Sequence, residues 1–144
     1  MKSIRNIAIL GSTGSIGRQT LEIVDEYPQL FRPWLLVANN SVQLLVEQAL
    51  KYRPQVVVIG NEEHYRKVKE ALAQTSIAVL AGSRAIAQAV VAPEIDTVVT
   101  AMVGYSGLEP TIEAIKAGKK IALANKETLV VAGDLITRLV AQNK

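Results

Sequence analysis

The chain alternates between short apolar runs and longer segments in which apolar residues recur every three or four positions. The apolar runs span only four or five residues, which is typical of strands buried on both faces of a sheet. They cover residues 7–10, 34–38, 56–59, 77–80, 97–101 and 120–124. Because amphipathic helices are predicted between them, the pattern indicates an α/β fold, a doubly wound parallel sheet of the Rossmann type.

Turn and capping residues mark the ends of several predicted helices. Ser41 is placed as the N-cap of a helix over residues 42–51, and Asn61 as the cap of the next helix. Pro110 is expected at the first helical position, and Gly118 just after the end of the same helix. No linker divides the chain, so residues 1–144 are expected to form a single domain. The last predicted helix has no clear cap, so we expect that residue 144 is not a natural C-terminus.

Composition narrows the class of protein. The chain has 144 residues, 49% hydrophobic and 4% aromatic, so its core must be built from aliphatic side chains. It has no cysteine, which excludes disulfides and thiolate catalysis. The net charge of +3 is not gathered into a basic arm, and the N-terminus resembles neither a signal peptide nor a membrane span. We therefore expect a cytoplasmic protein that binds neither nucleic acid nor membrane.

The stretch Gly11-Ser-Thr-Gly-Ser-Ile-Gly17 joins the first strand to the first helix. Its spacing is G-x-x-G-x-x-G, whereas the common dinucleotide fingerprint is G-x-G-x-x-G. Glycines allow the backbone to approach an anion, and the first helical turn presents free N–H groups to it. The N–H groups expected to face a pyrophosphate are those of Thr13, Gly14, Ser15 and Ile16, with added hydroxyls from Ser12, Thr13 and Ser15. The alternative is a turn with a structural role only.

The end of the second strand bears on the choice of cofactor. Proteins that bind NAD usually carry an acid there, which accepts a hydrogen bond from the ribose 2′-hydroxyl. This chain has Asn39, Asn40 and Ser41 instead, whose amides and hydroxyl can donate to a 2′-phosphate. The pattern therefore favours NADP. The alternative is that the asparagines are turn residues and the serine only a cap.

A third informative stretch, Asn125-Lys126-Glu127, follows the sixth strand at the edge where open α/β sheets bind ligands. Asn125 can cap a helix, and Glu127 suits its first turn. Lys126 opposes the helix dipole there, by roughly 0.3–1 kcal/mol. This unfavourable charge indicates an anionic partner, unless Lys126 is simply a solvated surface residue.

Together these motifs carry a family resemblance. The glycine stretch, Ala101-Met-Val-Gly104 with Gly107-Leu108, and Leu123-Ala-Asn-Lys-Glu127 resemble the 1-deoxy-D-xylulose 5-phosphate reductoisomerase family. The resemblance covers the whole chain and about the first third of that family's length. It implies an NADPH-dependent oxidoreductase that also needs a divalent metal, Mg or Mn. That enzyme isomerises and reduces 1-deoxy-D-xylulose 5-phosphate to 2-C-methyl-D-erythritol 4-phosphate in non-mevalonate isoprenoid biosynthesis.

The resemblance also implies roles for individual residues. Those implied for cofactor binding are Gly11, Thr13, Gly14, Ser15, Ile16, Asn39, Asn40, Ser41, Ala101, Met102, Asn125 and Glu127. Lys126 is implied to contact the phosphosugar substrate. The family usually has a glycine, a basic or polar residue and an asparagine after the second strand, so Asn39-Asn40-Ser41 departs from its pattern.

The same resemblance places the acidic metal-binding motif and the C-terminal helical domain beyond residue 144. No catalytic residue and no metal ligand is therefore expected in this segment, which alone should be inactive, and the full-length enzyme is expected to be a homodimer. Another Rossmann oxidoreductase is the alternative. A short-chain dehydrogenase would need a Tyr-x-x-x-Lys pair, and Tyr65 and Lys69 have that spacing but lie too early in the fold.

Overall fold

The computed structural model describes residues 4–101 and 108–123. Within these ranges six strands alternate with five α-helices. The strands are β1 Arg5–Leu10, β2 Phe31–Ala38, β3 Val56–Ile59, β4 Ala78–Ala81, β5 Thr97–Thr100 and β6 Lys120–Leu123. The helices are α1 Ser15–Glu26, α2 Val42–Tyr52, α3 Tyr65–Ala71, α4 Ser83–Ala89 and α5 Leu108–Lys116, with a 3₁₀ turn, Glu62–His64, before α3. None of these helices is long and apolar enough to cross a membrane.

The strands form one sheet in the order β4-β3-β2-β1-β5-β6, and every neighbouring pair is parallel. The chain first builds outward from β1 to β4 and then returns to place β5 on the other side of β1. The strand order thus reverses between β1 and β5, and ligands of doubly wound sheets bind outside the carboxyl ends of the strands at such a point. The predicted fold class is confirmed.

The central strand β1 has a different helical layer on each of its faces. Ile7 and Ile9 pack in a cluster with residues of α1, α2 and α3, whereas Ala8 and Leu10 pack with residues of α4 and α5. All four side chains are fully buried. Because successive side chains of a strand point to opposite faces, a continuous apolar run is what a strand covered on both sides requires.

Several predicted boundaries were wrong, among them the start of β1, at Arg5 rather than Ile7, and two of the differences have a clear cause. The second strand begins at Phe31 rather than Trp34, and its pairing with β1 is irregular beside Pro33. The exposed Arg32 and this proline interrupt the apolar pattern, although the backbone stays extended. Helix α5 already includes Leu108, so Pro110 is not its first residue. A proline is still accepted there because N–H groups of the first turn have no intrahelical acceptor.

The predicted end of α5 is confirmed in detail. Gly118 has a φ of 80°, in the left-handed region that favours glycine. Its N–H donates to Ile115 O, and the N–H of Lys119 donates to Ala114 O, both at 3.0 Å. This pair of hydrogen bonds is the Schellman motif, which satisfies carbonyls at the helix end and directs the chain into β6.

Gly17 allows α1 to lie against the turn that precedes it. A Cβ atom on Gly17 would overlap the carbonyl oxygen of Gly11 and lie 2.7 Å from the Ser12 Cα. These neighbours are backbone atoms of a turn that is bonded to β2, so they cannot move aside as a flexible side chain would. The position therefore requires glycine for steric reasons.

We expect Gly17→Ala to lower the free energy of unfolding by about 1–3 kcal/mol or more, the usual cost of forcing extra atoms into a packed site. Urea unfolding followed by circular dichroism measures the change. Gln19→Ala, at an exposed position of the same helix, is the control and should alter stability by no more than about 0.5 kcal/mol. Equal stability of the two variants would contradict the close contact.

Candidate cofactor site

The glycine turn lies at the switch point of the sheet. Gly11, with a φ of 95°, turns the chain away from β1. The N–H groups of Gly11 and Ser12 both donate to Val37 O on β2, at 2.8 and 2.9 Å. On the other side, the N–H of Ala101 donates to Leu10 O at 2.8 Å, just after β5. The structure therefore brings the turn, Ala101 and the end of β2 to one edge.

The start of α1 presents unused hydrogen-bond donors at this edge. The main-chain N–H groups of Thr13, Ser15 and Ile16 donate to no acceptor in the part of the chain that the structure describes. No side chain caps the helix, and its first turn contains no acid. With the positive end of the helix dipole behind them, such groups form a site for an anion.

Gly14 leaves space beside these donors. Its φ of −76° and ψ of 172° are extended values that any residue adopts. A Cβ atom there would find only Gly11 O within 4 Å, at 3.8 Å. The described part of the chain thus gives no steric reason for glycine at this exposed position, and the space where a side chain would stand is open. The Gly14 N–H was predicted to face the pyrophosphate, but it donates to Gly11 O at 3.3 Å within the turn. What Gly14 leaves for a ligand is the space of its missing side chain.

The Ser12 hydroxyl does not reach the open side of the turn, contrary to expectation. Ser12 is fully buried, and its Oγ has no hydrogen-bond partner among the residues that the structure describes. Two main-chain contacts turn this residue inward, because its N–H faces β2 and its carbonyl faces α2. Thr13 is half-buried and Ser15 is exposed, so their hydroxyls remain available at the edge.

A chain of amide hydrogen bonds orients Asn40. The N–H of Glu63 donates to Asn61 Oδ1 at 3.0 Å, which confirms the predicted capping role of Asn61. The Nδ2 of Asn61 then donates to Asn40 Oδ1 at 2.9 Å. Because the acceptor of the Asn40 amide is already engaged, its Nδ2 group is the end left to donate to a ligand.

Asn39 and Ser41 flank this amide. The side chain of Asn39 lies against Gly60, where a Cβ atom would overlap the Asn39 Oδ1. Ser41 occupies the N-cap position of α2, as predicted, and its carbonyl accepts the N–H of Leu45 at 3.0 Å. Its side chain makes no capping bond and is exposed, so the predicted side-chain cap was wrong and the hydroxyl is not engaged by the helix.

The first two cations after Asn40 in the sequence, Lys51 and Arg53, do not lie beside it. Lys51, at the C-terminal end of α2, is 3.6 Å from the Asp25 carboxylate, to which Tyr52 donates at 3.0 Å. The neighbouring Tyr52 is the main cause that raises the pKa of Lys51, and Asp25 adds to it. Burial is the main cause that raises the pKa of Tyr52. Arg53 donates to Leu50 O. Neither cation stands at the N-terminal end of α2.

The other predicted site residues are not covered by the described part of the chain. Met102, Asn125, Lys126 and Glu127 lie outside the described residues. Within residues 4–101 and 108–123, no group of three or more His, Cys, Asp or Glu side chains could hold a metal ion. The Tyr65 and Lys69 pair lies on α3, between β3 and the edge strand β4, which is not the switch point.

One residue of the site was missed by the sequence reasoning. The buried side chain of Gln48 on α2 donates from Nε2 to Ser12 O at 2.8 Å. Gln48 follows Leu45 by three positions and precedes Ala49, and both of these residues are fully buried. A polar residue on the apolar stripe of a helix was the signal that could have found it.

Comparisons with known proteins agree with this geometry. The family model described as 1-deoxy-D-xylulose 5-phosphate reductoisomerase matches residues 7–133. Relatives of that name from Porphyromonas gingivalis and Bacteroides fragilis are 64% and 57% identical over 140 and 138 residues. These matches cover 97% and 96% of the chain and 36% of each relative. The chain thus spans about a third of the length of the curated relatives it matches.

Solved structures match as well. The reductoisomerase from Zymomonas mobilis in complex with NADPH is 36% identical with a TM-score of 0.80, and the match covers 97% of this chain and 37% of that one. A reductoisomerase in complex with NADPH, fosmidomycin and magnesium is 35% identical with a TM-score of 0.81. That match covers 96% of this chain and 34% of the other.

Proposed function

The chain belongs to the 1-deoxy-D-xylulose 5-phosphate reductoisomerase family, and on that premise we propose that it forms the NADPH-binding domain of such an enzyme. The observation that carries the proposal is the open cradle at the start of α1. Its free N–H groups and the missing side chain of Gly14 fit an anion that approaches the backbone closely. The pyrophosphate of a dinucleotide is such an anion.

The 2′-phosphate is assigned to the end of β2. The free Nδ2 of Asn40 and the exposed hydroxyl of Ser41 are donors, and no carboxylate in residues 39–41 would repel the phosphate. The connection after β3 begins with an acid, Glu62, but its carboxylate lies beside Gly82, toward the edge strand β4. Ala101, whose N–H donates to Leu10 O, is assigned to the lining of the cofactor groove.

For the whole enzyme we propose NADPH-dependent isomerisation and reduction of 1-deoxy-D-xylulose 5-phosphate, with a divalent metal. NADPH, when bound, supplies the hydride. The residues of this chain bind and orient its phosphates, whereas the metal ligands are assigned to the rest of the enzyme. Lys126 as a substrate contact, Met102, Asn125 and Glu127 as cofactor contacts, and a homodimeric whole enzyme remain proposals from the resemblance.

Gly14→Ala is expected to weaken NADPH binding at least about tenfold, because a methyl group would stand where the pyrophosphate approaches. Fluorescence titration with NADPH measures the affinity. The fold should tolerate the change within about 1 kcal/mol, since the backbone angles suit alanine. Gln19→Ala is the control and should bind as the unmodified chain does. Unchanged affinity of Gly14→Ala would count against the cradle.

Asn40→Asp is expected to weaken NADPH binding about tenfold or more relative to NADH, because a carboxylate repels a 2′-phosphate but accepts from a 2′-hydroxyl. Parallel titrations with both cofactors give the ratio. Gln55→Glu adds the same charge at an exposed position just before β3, at the opposite edge of the sheet, and should leave the ratio nearly unchanged. An equal loss for both cofactors would contradict the assignment of Asn40 to the phosphate.

The 144-residue chain alone is expected to show no turnover of 1-deoxy-D-xylulose 5-phosphate with NADPH and Mg²⁺. The reason is that the family's metal-binding motif lies outside it by resemblance, and the chain spans only 36% of its relatives. NADPH oxidation followed by absorbance is the assay, and NADPH binding by the same sample shows that the cofactor site is intact. Measurable turnover would refute this assignment.

A further inference from the structure

Gln48 is a buried polar residue of α2 whose side chain contacts the glycine turn after β1. It lies on α2, is 6% exposed, and donates from Nε2 to the carbonyl oxygen of Ser12 at 2.8 Å. The orientation of this amide is unambiguous, because a carbonyl oxygen can only accept and Nε2 is the only donor of the glutamine side chain. Its contact therefore fixes where the Ser12 carbonyl points.

The geometry of the peptide bond carries this constraint to the next residue. The described chain has no cis peptide bond, and in a trans peptide the C=O and N–H groups point in opposite directions. With the Ser12 carbonyl directed at α2, the N–H of Thr13 must point away from it. It thus points to the open side of the turn, where Ser15 is exposed and the start of α1 presents its free donors.

The rest of the turn does not hold this peptide plane by itself. The N–H of Ser12 donates to Val37 O, which fixes the preceding plane, and Gly17 lies against the Ser12 backbone from the side of α1. Among the described residues, only Gln48 donates a hydrogen bond to the Ser12 carbonyl. Loss of that partner would leave a buried acceptor unsatisfied and favour rotation of the plane.

The amide of Gln48 is not explained by packing. Within residues 4–101 and 108–123, its own Oε1 is buried without a partner, and so is Ser12 Oγ in the glycine turn. An apolar side chain of equal size would fill this space without adding an unsatisfied oxygen of its own. The one hydrogen bond that the glutamine makes is thus the feature that distinguishes it from an apolar residue.

We propose that Gln48 is a positioning residue that directs the Thr13 N–H at the cofactor pyrophosphate. The proposal rests on the proposed NADPH-binding function. Gln48 acts through the Ser12–Thr13 peptide and does not touch the ligand. Its effect is therefore confined to the pyrophosphate and does not extend to the 2′-phosphate, which the end of β2 binds.

Gln48→Met keeps the size of the side chain and removes its donor. We expect NADPH to bind about tenfold more weakly or worse, as when one hydrogen bond to a charged group is lost. Adenosine 2′-phosphate, which lacks the pyrophosphate, should compete with less than a twofold change. Gln43→Met, on the exposed face of the same helix, is the matched control for both ligands. A merely structural role would weaken both ligands together, and that result would overturn the proposal.

A second measurement needs no cofactor. Residual dipolar couplings of the ligand-free chain give the direction of the Thr13 N–H relative to the axis of α1. We expect this N–H to point away from α2 in the unmodified chain and to change direction in Gln48→Met and in Gln48→Glu, which places an oxygen opposite the Ser12 carbonyl. An unchanged direction in a folded variant, or an inward direction in the unmodified chain, would overturn the proposal.

The two measurements distinguish failure of the positioning role of Gln48 from failure of the proposed NADPH-binding function. A reoriented Thr13 N–H in a protein that does not bind NADPH at all would leave the positioning role standing and refute the proposed function. Tight NADPH binding by a Gln48→Met variant with an unchanged N–H direction would do the reverse.

Discussion

The architecture of the site depends on the close approach of α1 to the turn that precedes it. Gly17 removes the Cβ atom that would collide with Gly11 O and the Ser12 backbone. Because the first helical turn lies against the glycine turn, its N–H groups and that of Thr13 face the same open side. A helix held one side chain farther away would present the same donors over a wider area, and a compact anion could not contact them together.

The turn is then held by elements that are far apart in sequence. Strand β2 contributes Val37 O, α2 contributes Gln48, and β5 brings Ala101 against Leu10. Each contact uses a main-chain group of the turn or of the strand before it. Gly11 and Gly17 are fixed by the backbone, but the side chains of Thr13 and Ser15 are free to serve the ligand because neighbours impose the conformation of the turn.

Much of this fold follows from local patterns, and the site follows only in part. Residues 56–59 were predicted as a strand with the bounds they have, because a short apolar run between turn residues has few other interpretations. The start of β2 was missed because Arg32 and Pro33 interrupt the run, and only pairing with β1 keeps them extended. Helical periodicity places Gln48 on the inward face of α2, but no local pattern says that a carbonyl 36 residues away is its partner.

The helix starts at the carboxyl edge of the sheet differ in whether their own side chains satisfy the free N–H groups of the first turn. The 3₁₀ turn after β3 has acids in its first turn and a side-chain cap from Asn61, so its donors and its dipole are already matched. The starts of α1 and α2 have neither a side-chain cap nor an acid in the first turn. An uncapped helix start is a cost unless something else accepts its donors.

The start of α4 is uncapped as well, but it follows the edge strand β4. The uncapped starts of α1 and α2 follow β1 and β2, which are neighbours in the sheet. Two separate anionic groups on one ligand, spaced like those of a phosphorylated dinucleotide, would match both. The cap of the 3₁₀ turn after β3 also affects the end of β2. The same Asn61 that satisfies it turns the amide of Asn40 so that its donor is free. Asn61 thus satisfies a donor after β3 and also orients the Asn40 amide that we assign to the 2′-phosphate.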